Sequence, residues 1–196
     1  MEEKIRCPWC GNDPLYIQYH DNEWGVAIFN DQKLFEMLIL DCFQAGLSWL
    51  TILKKRENFR IAFDNFDPLK IANYTNKKIN QLMQDNGIIR NKLKIDATIK
   101  NSKAYLNLVE KKGSFSKFLW DFVDGKPIIN RWENVKQIPA TSTISDKMSK
   151  ELKKNGFSFV GSIICYAFMQ AAGFVNDHLV SCFRYNDIIK INKNIF

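Results

Sequence analysis

Residues 84–94 read QDNGIIRNKLK. The helical run NKKINQLMQ leads into Asp85-Asn86-Gly87, where a glycine can take positive φ and end a helix. A new helical pattern begins three or four residues later. Helix, glycine hairpin and helix bring consecutive backbone N–H groups to a helix start, a geometry that can hold a phosphate. Arg90, Lys92 and Lys94 flank the turn. The stretch therefore predicts a non-specific grip on a nucleic-acid backbone, although a generic helical hairpin carries the same pattern.

Outward from the hairpin the hydrophobic period stays helical. Asp31 can cap a helix with Leu34, Leu38 and Ile39 on one stripe. A second helix through SWLTILKKRENFRIAF puts Leu50, Leu53 and Phe63 inward and Lys54, Lys55 and Arg56 outward. Further helices fit Arg90 to about Lys111, SFSKFLWDFV, and SDKMSKELKKN after a Ser145 cap. VGSIICYAFMQAAGF, 160–174, is apolar on almost every side and predicts a buried central helix. Runs with the period of a strand are missing. Residues 124–144 form the only long irregular stretch, which suggests a functional loop or a surface crossover. The expected fold class is all-α in two lobes, with a site in the cleft between them.

Composition narrows the function. Hydrophobic residues make up 46% and charged residues 25% of the 196, the balance of a soluble globular protein. No apolar run approaches the roughly 20 residues of a membrane span, and MEEKIRC lacks a signal-peptide core, so a cytoplasmic protein without a membrane partner is expected. The formal net charge of +7 favours a polyanionic partner. Lys147, Lys150, Lys153 and Lys154 would share one helical face.

Two constellations suggest chemistry. Five cysteines without an export signal point to thiols or metal ligands rather than disulfides. The two histidines are His20, thirteen residues after Cys7 and ten after Cys10, and His178, four before Cys182 and so one helical turn away. Two Cys and two His suit tetrahedral structural zinc. Spacing alone does not choose between Cys7 and Cys10, nor exclude unrelated buried thiols. The second constellation is Asp41, which continues the apolar stripe of Leu34 and Leu38 and so points toward the core or a cleft. A buried carboxylate is costly unless paired or used, and such groups tend to mark sites. Beyond it, QAGLSW makes a tight corner that can present Leu47 as a wedge between bases.

The motifs HDNEWG, LFEMLILD followed by QAGLSWLTILKKRENFR, GIIR with KI, PATSTISD, FVG, ICY, FMQA and VNDH with a following Cys together resemble the 3-methyladenine DNA glycosylase I family, from Arg6 to about Cys182. The resemblance implies a helix-hairpin-helix fold with a second small zinc-containing domain. Residues 1–30 with about 156–196 would form that domain, about 31–155 the helical one, and the base pocket would lie between them. One structural Zn would be held by Cys7, His20, His178 and Cys182, leaving Cys10 aside. The base pocket and its catalytic groups would be Tyr16, Tyr19, Asp41 and Trp49, with Trp24 completing the binding surface. DNA contacts would come from Leu47, Asn86, Gly87, Ile88 and its neighbour Ile89, Arg90, Thr141, Ser142 and Thr143 at a helix start, and Lys153. The family pattern reads Leu-Glu-Gly where this chain has Leu40-Asp41-Cys42, one methylene shorter at the carboxylate and bulkier beside it.

The resemblance further implies a monomeric enzyme acting on double-stranded DNA with alkylated bases. It would flip out 3-methyladenine and release it by hydrolysis, without strand cleavage. A DNA-damage binding module of the same fold, weakened by the Asp41-Cys42 change, is the alternative. A zinc-stabilised interaction protein unrelated to DNA is a more distant one.

Overall fold

Asn30 opens the scaffold. Its extended backbone and its side chain, which accepts from Lys33 N at 2.9 Å, cap helix α2 (Asp31–Gln44). The cap expected at Asp31 is thus one residue earlier, because Asn serves as well there. Asp31 instead reaches across to the start of another helix, α7 (Phe115–Trp120), accepting from Phe115 N at 2.9 Å and Ser116 N at 2.8 Å. A carboxylate there meets unpaired N–H groups and the positive end of the helix dipole.

The computed structural model describes residues 4–193, so the outermost parts of the expected terminal domain, 1–3 and 194–196, lie outside the described residues. The chain is mostly helical, as its periodicity predicts. The remaining helices are α1 (Pro14–Asn22), α3 (Trp49–Ala62), α4 (Pro68–Ala72), α5 (Asn76–Gln84), α6 (Lys92–Lys112), α8 (Thr143–Lys154), α9 (Ser162–Ala171) and α10 (Phe183–Lys193). Among the described residues the strand content is one parallel pair, β1 (Ile128–Ile129) beside β2 (Val175–Asn176). That pair fastens the irregular 124–142 stretch to the end of α9.

The core is aromatic. Phe35, Phe43, Phe59, Phe63, Phe66, Phe115 and Phe168 are fully buried, with Leu34, Leu38 and Ile39 of α2 among them. Leu53 and Phe63 face inward as expected, while Leu50 is half-buried. α9 is less enclosed than its composition predicts, since Ile163 is exposed and Ala167 and Gln170 are half-buried. Its open face borders a cavity. Ser142, not Ser145, caps α8, with Ser145 returning the bond to Ser142 N in a capping box.

The hairpin expected at 84–94 joins α5 to α6, but Gly87 is needed for a different reason. It does not have positive φ; a Cβ there would lie 2.9 Å from Asn58 Cβ on α3. Close approach of α3 excludes a side chain. Gly173, just beyond α9, combines both demands, with φ +77 and backbone atoms of Val26 and Ala27 within 2.5 Å of where a Cβ would be. Gly173→Ala is therefore expected to cost about 3 kcal/mol, from left-handed strain plus overpacking. A thermal melt checks it, and an unchanged transition would contradict the close approach.

Candidate functional site

Asp41, Trp9 and Trp49 line one cavity, and each has a buried polar atom, Asp41 Oδ2, Trp9 Nε1 and Trp49 Nε1, without a hydrogen-bond partner among the described residues. The cavity measures about 340 Å³. Each side chain reaches it from a different element. Trp9 comes from a short turn at Pro8–Cys10, Tyr16 and Tyr19 from α1, Asp41 and Gln44 from α2, and Trp49 from the start of α3. Trp24, Ile138, Tyr166 and Gln170 also face it. The sequence-predicted pocket residues Tyr16, Tyr19, Trp24, Asp41 and Trp49 thus all line one space. Trp9, Gln44, Tyr166 and Gln170 join them without a signal in the sequence that marks them out. Trp9 is hidden inside a C-x-x-C that reads as a metal knuckle.

The rings are interlocked. Trp9 lies 4.8 Å from Trp24 and 5.1 Å from Tyr16 between centroids, and Tyr19 lies 5.5 Å from Trp49. Tilted and edge-on contacts of this kind fix ring orientation. Arg56, expected to point outward, pairs with Glu23 at 2.5 and 2.9 Å and so braces α3 against the segment after α1. Burial alone holds the Asp41 carboxyl well above the usual carboxylate range, because it faces no cation. Cys42 faces away from the cavity, its thiol pointing at the Phe159 carbonyl 3.4 Å away.

Behind this wall, Cys7, His20, His178 and Cys182 converge, all buried, with ligand atoms within 4.8 Å of one another. Cys10 is outside the group and donates to the Cys7 carbonyl at 3.2 Å. The expected helical turn from His178 to Cys182 is not formed. α10 begins only at Phe183, and a turn closed by Cys182 N to Leu179 O at 2.8 Å brings the two together instead. His178 Nδ1 lies 3.6 Å from Cys7 Sγ and 3.5 Å from Cys182 Sγ, and His20 Nε2 lies 3.5 Å from Cys182 Sγ. The outward nitrogens are engaged. His178 Nε2 is 3.1 Å from the Trp24 carbonyl, and His20 Nδ1 is 2.8 Å from Asp21, which Arg6 grips in turn. Such outer partners set the tautomer that leaves the inner nitrogen unprotonated. The Cys7 thiol hydrogen-bonds to Cys182 and holds the Cys182 thiol below its ordinary range, while that pairing and burial push Cys7 up. A thiolate is the form of cysteine that ligates metal. The group is compatible with a metal ion.

The expected DNA-facing residues divide. Leu47 is 40% exposed at its corner after Gly46, and Asn86, Arg90 and Lys153 are exposed, as are Lys147, Lys150 and Lys154. Thr141 and Ser142 are half-exposed at the start of α8, and Thr143 is exposed. Ile88 is buried in the core, so its side chain anchors the hairpin, and Gly87 and Ile89 are half-buried. Lys94 turns inward, donating to the Phe43 and Ala45 carbonyls at 2.8 and 2.6 Å. Lys55 donates to the Asn86 carbonyl at 2.8 Å.

The sequence model of the methyladenine glycosylase family matches residues 9–185. DNA-3-methyladenine glycosylase 1 of Escherichia coli (strain K12) is 51% identical over 180 residues, spanning 92% of this chain and 96% of that protein. A crystal structure of 3-methyladenine DNA glycosylase I superposes with a TM-score of 0.90 at 51% identity, over 91% of this chain and 98% of its own. A Staphylococcus aureus 3-methyladenine DNA glycosylase I, solved for its recognition of 3-methyladenine, gives 0.88 at 38%, over 91% and 95%. A family match over most of the chain, joined to half-identity with a full-length relative, shows that this chain belongs to the methyladenine glycosylase family.

Proposed function

We propose that the chain is a DNA repair glycosylase that releases 3-methyladenine from alkylated DNA by hydrolysis. One observation carries the reading: Trp9, Asp41 and Trp49 line one aromatic cavity, and each has a buried polar atom (Trp9 Nε1, Asp41 Oδ2, Trp49 Nε1) without a hydrogen-bond partner among the described residues. A flat heteroaromatic base with an exocyclic amine complements that set. N3-methylation puts a positive charge on adenine and weakens both the glycosidic bond and the base's hold in the duplex. The flipped cation would be enclosed by Tyr16, Tyr19, Trp24 and Trp49, with cation–π attraction of roughly 0.5–2 kcal/mol. Asp41 would accept from the amine. Its charge is unfavourable in the empty cavity and favourable beside a cation, so methylated base is preferred over normal adenine.

As the glycosidic bond breaks, its electron pair neutralises the base, so no strong general acid is required. Water then adds to a sugar with oxocarbenium character and gives up a proton. No lysine is among the residues lining the cavity, and buried Lys94 is tied to two carbonyls. This supports a monofunctional enzyme, and a borohydride-trapped enzyme–DNA adduct would contradict it. On the DNA side, Leu47 would fill the vacated stack, while the α5–α6 hairpin read as a helix-hairpin-helix, Arg90, the start of α8 at Thr141 and Ser142, and Lys153 would hold the backbone.

Zinc fits the buried group. A tetrahedral ion with Zn–S and Zn–N bonds of ordinary length separates sulfur from nitrogen by about 3.6 Å, against 3.5–3.6 Å for three of the four sulfur–nitrogen pairs. When bound, zinc would supply structural closure, clasping residues 4–30 to 156–193 as a terminal domain. Cys10→Ser is expected to keep one metal per chain by elemental analysis; its loss would place Cys10 among the ligands.

The alternative, a binding module that lost turnover through the Asp41-Cys42 change, predicts that Asp41→Glu restores release. Asp41 reaching the cavity wall and Cys42 facing away both favour turnover. Direct titration with free 3-methyladenine tests the pocket, because Trp9, Trp24 and Trp49 all border it. Saturable quenching of their fluorescence is expected, and none would sink the base-pocket reading.

A further inference from the structure

We propose that Asp177 is a positioning residue for base release: one buried carboxylate ties the 130–140 segment to α9, so that two walls of the cavity keep a single shape. The inference rests on the glycosylase reading above and extends it to a residue that does not touch the cavity.

Asp177 is fully buried. Its Oδ1 accepts from Asn130 Nδ2 at 2.7 Å and Trp132 Nε1 at 2.8 Å. Its Oδ2 accepts from the Tyr166 hydroxyl and from Gln170 Nε2, both at 2.8 Å. All four donors are neutral, two on each side. A buried carboxylate is tolerated only when its lone pairs are used, and bonds to the charged form are about twice as strong as neutral ones.

The two pairs of donors belong to two segments that both contribute to the cavity lining. Tyr166 and Gln170 are one turn apart on α9 and both face the cavity. Asn130 and Trp132 sit just ahead of Val135, Ile138, Pro139 and Ala140, which line the same cavity. That segment needs an anchor, since after β1 its regular structure is one 3-10 turn at Val135–Gln137. Backbone bonds from Asn130 N to Asn176 O and from Val180 N to Trp132 O hold its start, and the next ones, at Glu133 and Asn134, close on Gln137 within the segment. Burial and the nearby Asp177 charge push the Tyr166 hydroxyl up, so it remains a donor. The ring it presents to the cavity gains electron density, which suits a cationic base.

Asp177→Asn keeps size and shape, but its amide nitrogen would face two donors and cannot accept from them. One wall is then released. The test uses zinc-loaded full-length protein, comparing wild type with D177N, W132F and Y166F at a temperature below every melting transition. Three quantities are read: the single-turnover rate of 3-methyladenine release from methylated duplex, the affinity for a duplex carrying a tetrahydrofuran abasic analogue, and metal content. The expected result is release at least tenfold slower in D177N, with duplex affinity within threefold of wild type and metal retained. W132F and Y166F should each slow release by a smaller factor, and neither should slow D177N further, because coupled partners are non-additive. Should D177N fail to fold, the two single variants decide: slowed release at unchanged duplex affinity in both supports the inference, and wild-type rates in both overturn it. A folded D177N with the wild-type rate, a parallel loss of duplex affinity, or further additive slowing also overturns it. Absence of release from the wild type would instead be the failure of the glycosylase reading.

Discussion

Replacing Asp41 with Asn should lower kcat/KM for 3-methyladenine release about 100-fold, the worth of a buried hydrogen bond to a charged group, while raising thermal stability at neutral pH. Both effects follow from one fact. Asp41 is buried, faces no cation, and one of its oxygens has no partner among the described residues. Burial raises its folded-state pKa, so the folded protein binds this proton more tightly than the unfolded chain. The stability attached to that proton is fully present below the unfolded value and is lost as pH rises through the raised one. At neutral pH the wild type bears the penalty and D41N does not; at acid pH the gain disappears. Melting curves across pH check this, and a D41N variant less stable at every pH would contradict it. Kinetically, the carboxylate is the form that meets the cationic base. The wild-type kcat/KM should therefore rise with pH through the raised Asp41 pKa, and D41N should lack that limb. An unchanged acid limb would assign it to another group.

The second large effect lies at the buried Cys/His group. Cys182→Ser is expected to lose the bound ion and to melt about 10 °C lower, as a loss of several kcal/mol would produce in a chain of this size. The loop clasped by this group is long: Cys7 and His178 are 171 residues apart in sequence. Without the ion, two imidazoles, the Cys7 thiol and the new hydroxyl are left in a site closed to water. The damage should reach the cavity, because Trp9 packs against the cluster of Cys7, Leu179 and Cys182 as well as lining the pocket, and Trp24 lies 4.6 Å from the His178 ring. Elemental analysis and melting together check it. A Cys182→Ser protein with full metal content and an unchanged transition would overturn the assignment.

Much of the scaffold is legible in the sequence where the cause is local. The hydrophobic period marks α2, α3, α5 and α6 because a helix buries every third or fourth residue. The features that escape reading depend on non-local neighbours. Gly87 is required by Asn58 on α3, not by its own φ. Arg56 and Lys55 look like free surface charge until Glu23 and the Asn86 carbonyl meet them. His178 and Cys182 are paired as their spacing predicts, but by a turn in place of a helix. Within the site, Asp41 is visible as an acid on an apolar stripe. Asp177 is harder to see, although an acid bordering the buried α9 run is a comparable signal; its partners reach back 47 residues to Asn130.

Base release with product identification is the most direct test of the central claim. Zinc-loaded full-length protein is incubated with methylated duplex DNA, and the released bases are separated and identified. The account predicts free 3-methyladenine, with the sugar–phosphate backbone left uncut. Intact methylated DNA after incubation with folded, metal-loaded protein would contradict it.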